Sequence, residues 1–540
     1  MAGRLPKLIG LGSYILMYGA VGVASAQGLE ADGAPRSVPR AVCGSEDNPE
    51  TGLQGQVPAA LRAAGFKGFN CNLKLIGQSR NDGGNWQSAE FKERRQPVRD
   101  DGSYRDEDKP FHVCGYYGSQ SPSLSPATRN PATYGTRVID VTNAKSPHLT
   151  GYLQTSSMLD PWESLKVNER RQLLAADQGT NGGGGPGVDV YDISQDCRSP
   201  QLLASVAIGT GTDGGPVAPV TPVGHEGSFA PDGLTYYIGD LANDSYHAVD
   251  MTDPTHPKHI TTFDMKTIGL GTHGMSVSND GNRLYAVSLG FATLANLTNP
   301  TVPANNGFVI FDTSEIQARL PNAQMKVVST FLFKDGSVAQ HTIPVSIRGK
   351  PYIIHVDEGG SGGASLAAWQ GACAAGFPPW PMARIVDISD ERKPKLVSKL
   401  TLEINTPENC ASVLPDLVGL SIFTYGTHYC SVDNRNNATT LVCGMFNSGI
   451  RVFDIRNPRR PKEIAYYYPA GVTTASGGSN HGLGNNFVPG GPDWCSAQAH
   501  LDAERGTLWT TCQDNGLLML KFEHGVWPFP DSSTPPGEQN

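Results

Sequence analysis

Four histidines share one register. His225 stands seven residues before Asp232, His273 seven before Asp280, His341 seven before Arg348, and His428 seven before Arg435. Each later residue marks the turn of a short hairpin, as in Asp232-Gly233 and Asp280-Gly281. Imidazole is a common protein ligand for zinc, copper and iron. Imidazoles that converge repel one another when protonated but are stabilised as neutral ligands around one ion. The spacing therefore predicts a metal centre wherever the fold brings the hairpin starts together. His500 is a fifth candidate ligand, although its hairpin aligns two residues out of phase and Gln498 occupies the matching place. His481 is placed to close over the same site. A histidine set suits redox activation of oxygen or a small substrate by copper or iron better than it suits zinc. It lacks the hard oxygen shell that calcium requires.

Acidic residues accompany the register. Glu226 follows His225, while Asp177, Asp240, Asp357 and Asp514 each end the second strand of a hairpin; Glu358 follows Asp357. Glu226, Asp357 and Glu358 are the candidate catalytic proton carriers, with loop capping or imidazole orientation as the alternative roles. Beyond Glu358 runs a Gly-rich insertion, 359–381, whose Trp369, Phe377 and Trp380 suggest an apolar lid or a surface loop. No GxSxG elbow, Walker loop, HExxH helix or dinucleotide fingerprint stands in a suitable context, and Gly182 to Gly185 lacks the Lys-Ser/Thr of a phosphate loop.

The elements that must carry these residues repeat. Arg137-Val-Ile-Asp140, Val188-Asp-Val-Tyr-Asp192, Ala248-Val-Asp250, Val309-Ile-Phe-Asp312, Arg384-Ile-Val-Asp387 and Arg451-Val-Phe-Asp454 are six copies of one strand, and Leu517 to Phe522 is a degenerate seventh. The aspartates are spaced by 52, 58, 62, 75 and 67 residues. Each sits beside a turn, where its carboxylate can accept from backbone N–H groups, so the repeated Asp reads as structural. A proline-marked turn and another apolar strand follow most copies, and an inner hairpin precedes them. Four strands per repeat favour radial closure over a sandwich.

The repeated apolar-Asp-apolar phrase resembles the LVIVD repeat, and the likeness runs over residues 70–522. The resemblance implies an all-β, seven-bladed β-propeller with four-stranded blades and long insertions on the channel-mouth face; it implies no particular reaction. In such a fold the starts of the innermost strands meet at one mouth of the central channel. There the histidines would converge on a small-molecule substrate or ligand.

The chain as a whole sets the compartment. Arg4 and Lys7, an apolar run from Leu8 to Ala20, and Ala24-Ser25-Ala26 have the layout of a secretory signal peptide over 1–26, followed by an N-terminal extension, 27–69. No later segment is long and apolar enough to span a bilayer, and a Pro-rich tail covers 523–540. Ten cysteines, none in a CxxC pair, are compatible with disulfides in a secreted or periplasmic protein; Cys430–Cys443 and Cys495–Cys512 are placed to bridge hairpins. The net charge of −9 is dispersed and no basic stripe is present, which argues against nucleic acid. A metal-dependent oxidoreductase is the expectation. A non-catalytic scaffold that binds a protein or small ligand is the alternative, and it leaves the histidine register unexplained.

Overall fold

In the computed structural model each repeat forms a four-stranded antiparallel sheet, and seven such sheets make a β-propeller. The described residues are 37–530 apart from 82, 85, 96–109, 119–131, 178–186, 291–296, 300, 418–422 and 472–490. The signal-peptide segment, Gly182 to Gly185, His481 and the last ten residues of the tail lie outside them.

Blade 3 shows how the repeat is built. Glu226–Phe229, Thr235–Asp240, Ser245–Asp250 and Lys258–Asp264 pair in chain order. The second strand is buried throughout and the third nearly so, because a neighbouring blade covers each face; this is why these strands read as apolar runs rather than alternations. The repeated aspartates behave as turn residues. Asp140, Asp192, Asp250, Asp312, Asp387 and Asp454 each accept from the backbone N–H two positions later, at 2.8–3.0 Å.

The ring closes by strand exchange between the two ends of the chain. Blade 7 takes His500–Asp502, Thr507–Cys512 and Gly516–Phe522 from the C-terminal region, and its outermost strand, Leu73–Ser79, comes from the N-terminal region. The seventh copy of the repeat therefore needs no fourth strand after it. Phe69–Cys71 adds a fifth strand to blade 6 against Lys462–Tyr468. Backbone groups that would be left open at the closing blade are paired.

Five disulfides pair all ten cysteines. Cys430–Cys443 and Cys495–Cys512 bridge hairpins as expected, and Cys430 and Cys443 are direct partners in the strand register. Cys43–Cys71 ties down the N-terminal segment, and Cys114–Cys197 joins blade 1 to blade 2. Such a set fits an oxidising compartment, extracellular or periplasmic. Among the described residues no helix is long and apolar enough to cross a membrane.

The insertion after Glu358 packs into the body of the protein. Its helix, Leu366–Ala374, is held by Cys373–Cys410. Trp369 and Trp380 are buried against each other, and Trp380 donates from Nε1 to the carbonyl of Ile404. Two of the three expected lid residues are thus core.

Candidate metal centre

The inner strands carry the register to one place. His225 and His273 immediately precede or lead into the inner strands of blades 3 and 4, and His428 stands two residues ahead of blade 6's Cys430–Val432. Their rings meet two carboxylates. Glu163 Oε2 lies 3.1 Å from His225 Nε2 and 3.6 Å from His273 Nε2, while Glu163 Oε1 lies 2.9 Å from His428 Nε2. Glu358 Oε2 is 3.2 Å from His428 Nε2 and its Oε1 is 3.9 Å from His273 Nε2. The two Nε2 atoms of His225 and His273 are 2.8 Å apart. All five residues are buried, the most exposed being Glu358 at 7 %.

Backbone carbonyls orient two of the rings. His273 Nδ1 donates to Ala339 O at 2.9 Å, and His428 Nδ1 donates to Ser496 O at 2.9 Å. A carbonyl only accepts, so each Nδ1 carries a proton and, in the neutral ring, the Nε2 lone pair faces the carboxylates. This is the arrangement by which proteins orient imidazole ligands. Burial opposes charge on these groups. At His428 the hydrogen bonds and charges of Glu163 and Glu358 overcome it and push the imidazole up to about 10. Glu163 is likewise opposed by burial, but His225 and His428 hold it well below the usual carboxylate range. Burial, reinforced by His225, lowers His273.

Two expected ligands lie elsewhere. Blade 5 begins with a long strand, Ser337–Ile347, which bulges between Ala339 and His341 where it pairs with Lys350–Gly359. His341 lies on the turn side of that bulge and stacks on Tyr429 at 4.4 Å between centroids, with Nε2 3.2 Å from Cys430 O. Burial, with Lys166 and His428 nearby, lowers it well below its ordinary value. Blade 5 supplies Glu358 to the centre instead. His500 is out of phase as its alignment indicates: it stacks on Trp509 at 4.2 Å and meets Ser88 Oγ at 3.0 Å, with Gln498 donating to Ser88 O.

The three acidic candidates separate. Glu358 joins the centre. Glu226 pairs with Lys166 at 3.7 Å beside it, and burial, with Glu163 adding to it against Lys166, raises its carboxyl to about 8. The carboxylate lies so close to Gly274 that a Cβ there would overlap both it and the carbonyl of Gln340, so the residue after His273 has to be glycine. Asp357 is not at the site. It is bonded to Arg384, to His355 Nε2 at 3.0 Å and to Asn306 Nδ2 at 2.9 Å, as part of the buried framework of blade 5.

Glu163 is the ligand candidate that histidine counting misses. It precedes Arg170 by seven residues, the count that links His225 to Asp232, so extending the register to carboxylates finds it. Its backbone N–H donates to His225 O at 3.2 Å, which fixes it beside that residue.

Aromatic side chains roof the cluster. Trp86 lies 5.2 Å from His428, Trp162 5.4 Å from His225, and Phe446 5.3 Å from His428, measured between centroids. Trp494 packs on Trp86 and Phe446.

No known family profile matches the chain, and no curated protein is similar to it in sequence. Solved structures similar in fold include a protein from Lactobacillus plantarum (12 % identity, 65 % of this chain and 80 % of that one, TM-score 0.42). Others are a periplasmic gluconolactonase from Pseudomonas aeruginosa (11 %, 76 % and 99 %, TM-score 0.45) and Kuenenia stuttgartiensis hydrazine synthase (13 %, 83 % and 96 %, TM-score 0.44). These likenesses carry nothing about chemistry.

Proposed function

We propose that the protein is a secreted propeller of the LVIVD-repeat type holding one divalent transition metal through His225, His273, His428, Glu163 and Glu358, and that it acts as a metal-dependent oxidoreductase on a small substrate. The observation that carries the reading is a buried triad, Glu163, His225 and His273, whose ligand atoms all lie within 4.8 Å of one another, with His428 and Glu358 joined to it by contacts of 2.9–3.9 Å. Neighbouring ligands that share an ion at about 2.1 Å stand roughly 3 Å apart. Charge supports it: with neutral imidazoles the set carries two negative charges, which a divalent ion balances and which burial otherwise penalises.

The mixed donor set shifts the expected metal. Imidazole alone suits copper as well as iron, whereas imidazole with carboxylate is shared by non-haem iron and catalytic zinc centres, so for redox chemistry iron is favoured over copper. The bound metal would supply redox activation of a small molecule. Glu226, paired with Lys166 beside the ligands, is placed to hold a proton near the centre.

A second reading has one observation in its favour: His428 Nε2 lies 2.9 Å from Glu163 and 3.2 Å from Glu358, the geometry of an imidazolium–carboxylate plug that a non-catalytic scaffold could use without metal. Metal analysis of the exported, untagged chain separates the two. About one iron per chain, lost in the folded His273→Ala/His428→Ala double variant, supports the enzyme reading. Stoichiometric metal retained in that variant refutes the site, and metal-free protein after reconstitution favours the scaffold.

A further inference from the structure

The ligand candidates do not ring the channel evenly. They come from five successive blades: Glu163 leads into blade 2, His225 into blade 3, His273 into blade 4, Glu358 ends the second strand of blade 5, and His428 leads into blade 6. Blades 7 and 1 offer indoles instead, Trp494 and Trp86, each ahead of its blade's inner strand. From this we infer that the side of the metal toward blades 7 and 1 is where the reacting molecule binds, and that Trp86 determines what reaches it, admitting a small polar ligand and excluding bulkier ones. The inference rests on the metal reading above.

A further observation supports it. The roof is held in uncommon backbone conformations. Trp162, Phe423 and Phe446 adopt left-handed φ of 45°, 53° and 48°, a region that side chains disfavour. Strain of this kind collects where side chains are positioned for function. Here it sets rings against His225 and His428 and around Trp86: Trp162 stacks on Trp86 at 5.4 Å, Phe446 packs on Trp494 at 4.9 Å, and Phe423 stacks on Phe446 at 5.6 Å.

Trp86 is thus a specificity-determining residue that touches His428 without being a ligand. The test uses the metal-loaded full chain and two exogenous probes, azide and imidazole, followed by the charge-transfer absorption of the oxidised metal. The wild-type protein is expected to bind azide and refuse imidazole. Trp86→Ala should bind azide at least tenfold faster and admit imidazole, while Trp86→Phe should stay within threefold of wild type. Trp86→Leu serves the same comparison where the alanine variant does not accumulate. A metal-replete Trp86→Ala or Trp86→Leu with wild-type azide kinetics that still refuses imidazole overturns this inference alone. A wild-type chain that holds no metal overturns the metal reading and this inference with it.

Discussion

Replacing Glu163 by glutamine tests the centre at its most connected residue. The carboxylate approaches His428, His225 and His273 at 2.9, 3.1 and 3.6 Å, more imidazoles than Glu358 meets. Glutamine keeps the shape but halves the negative charge of the donor set, leaving a divalent ion one charge short in a buried place. Losing a partner that merely orients a ligand weakens a metal site about tenfold to a hundredfold, about 1.4–2.7 kcal/mol, and a ligating carboxylate should cost at least that. Glu163→Gln is therefore expected to raise the metal dissociation constant by about tenfold or more, with Glu163→Asp between it and wild type. The assay is competition with a chelator on the intact protein, with near-ultraviolet circular dichroism to show that packing is kept. A folded Glu163→Gln chain whose affinity stays within twofold of wild type would refute the reasoning, because no shared ion could ignore that charge.

Other outcomes follow from residues near the site but outside it. Asp357→Asn should lower the unfolding midpoint while leaving metal content unchanged, since Asp357 answers Arg384 and His355 rather than the ligands; breaking a buried pair costs about 3–5 kcal/mol, less here because Asp335 still faces Arg384 at 3.0 Å. Arg451→Ala should be more damaging in urea unfolding, because it strips the partner from both Glu50 and Glu463 and loosens the N-terminal segment from blade 6. His500 gives a pH effect: burial, helped by Lys92 and opposed by Glu90, lowers its imidazole from 6.5 to about 4, so the unfolded chain takes up a proton first as pH falls. Its contribution to stability is then full above pH 6.5 and lost progressively down to about 4, and His500→Gln should flatten urea stability across that window without removing metal; an unchanged slope would contradict the burial argument.

The fold was legible because the propeller repeats its instructions. Each copy joins an apolar strand to an aspartate that closes its own turn, and the structure keeps that bond in six blades. The closing strand, Leu73–Ser79, was not legible, since nothing within a single apolar segment says that its partner, Gly516–Phe522, lies at the other end of the chain. His341 keeps its count, since Ile347 to His341 pair without interruption, but a count along one strand does not say which neighbours a ring meets, and this ring stacks on Tyr429.

Glu163 shows why the site was harder to read than its scaffold. Histidine spacing marks His225, His273 and His428 but not the carboxylate in the same count, because position around the ring, rather than residue type, sets what faces the channel. The fold fixes which positions face one another across the channel, and charge balance then decides which side chains can be buried there together. Three imidazoles alone would leave a divalent ion's charge uncompensated in the protein interior, whereas Glu163 and Glu358 would make the buried set neutral if it held such an ion. The carboxylates also change the expected chemistry, because they move the donor set from one equally suited to copper toward one suited to iron. In a propeller the useful question of each blade is what stands seven residues before its inner turn, and in blade 2 the answer is glutamate.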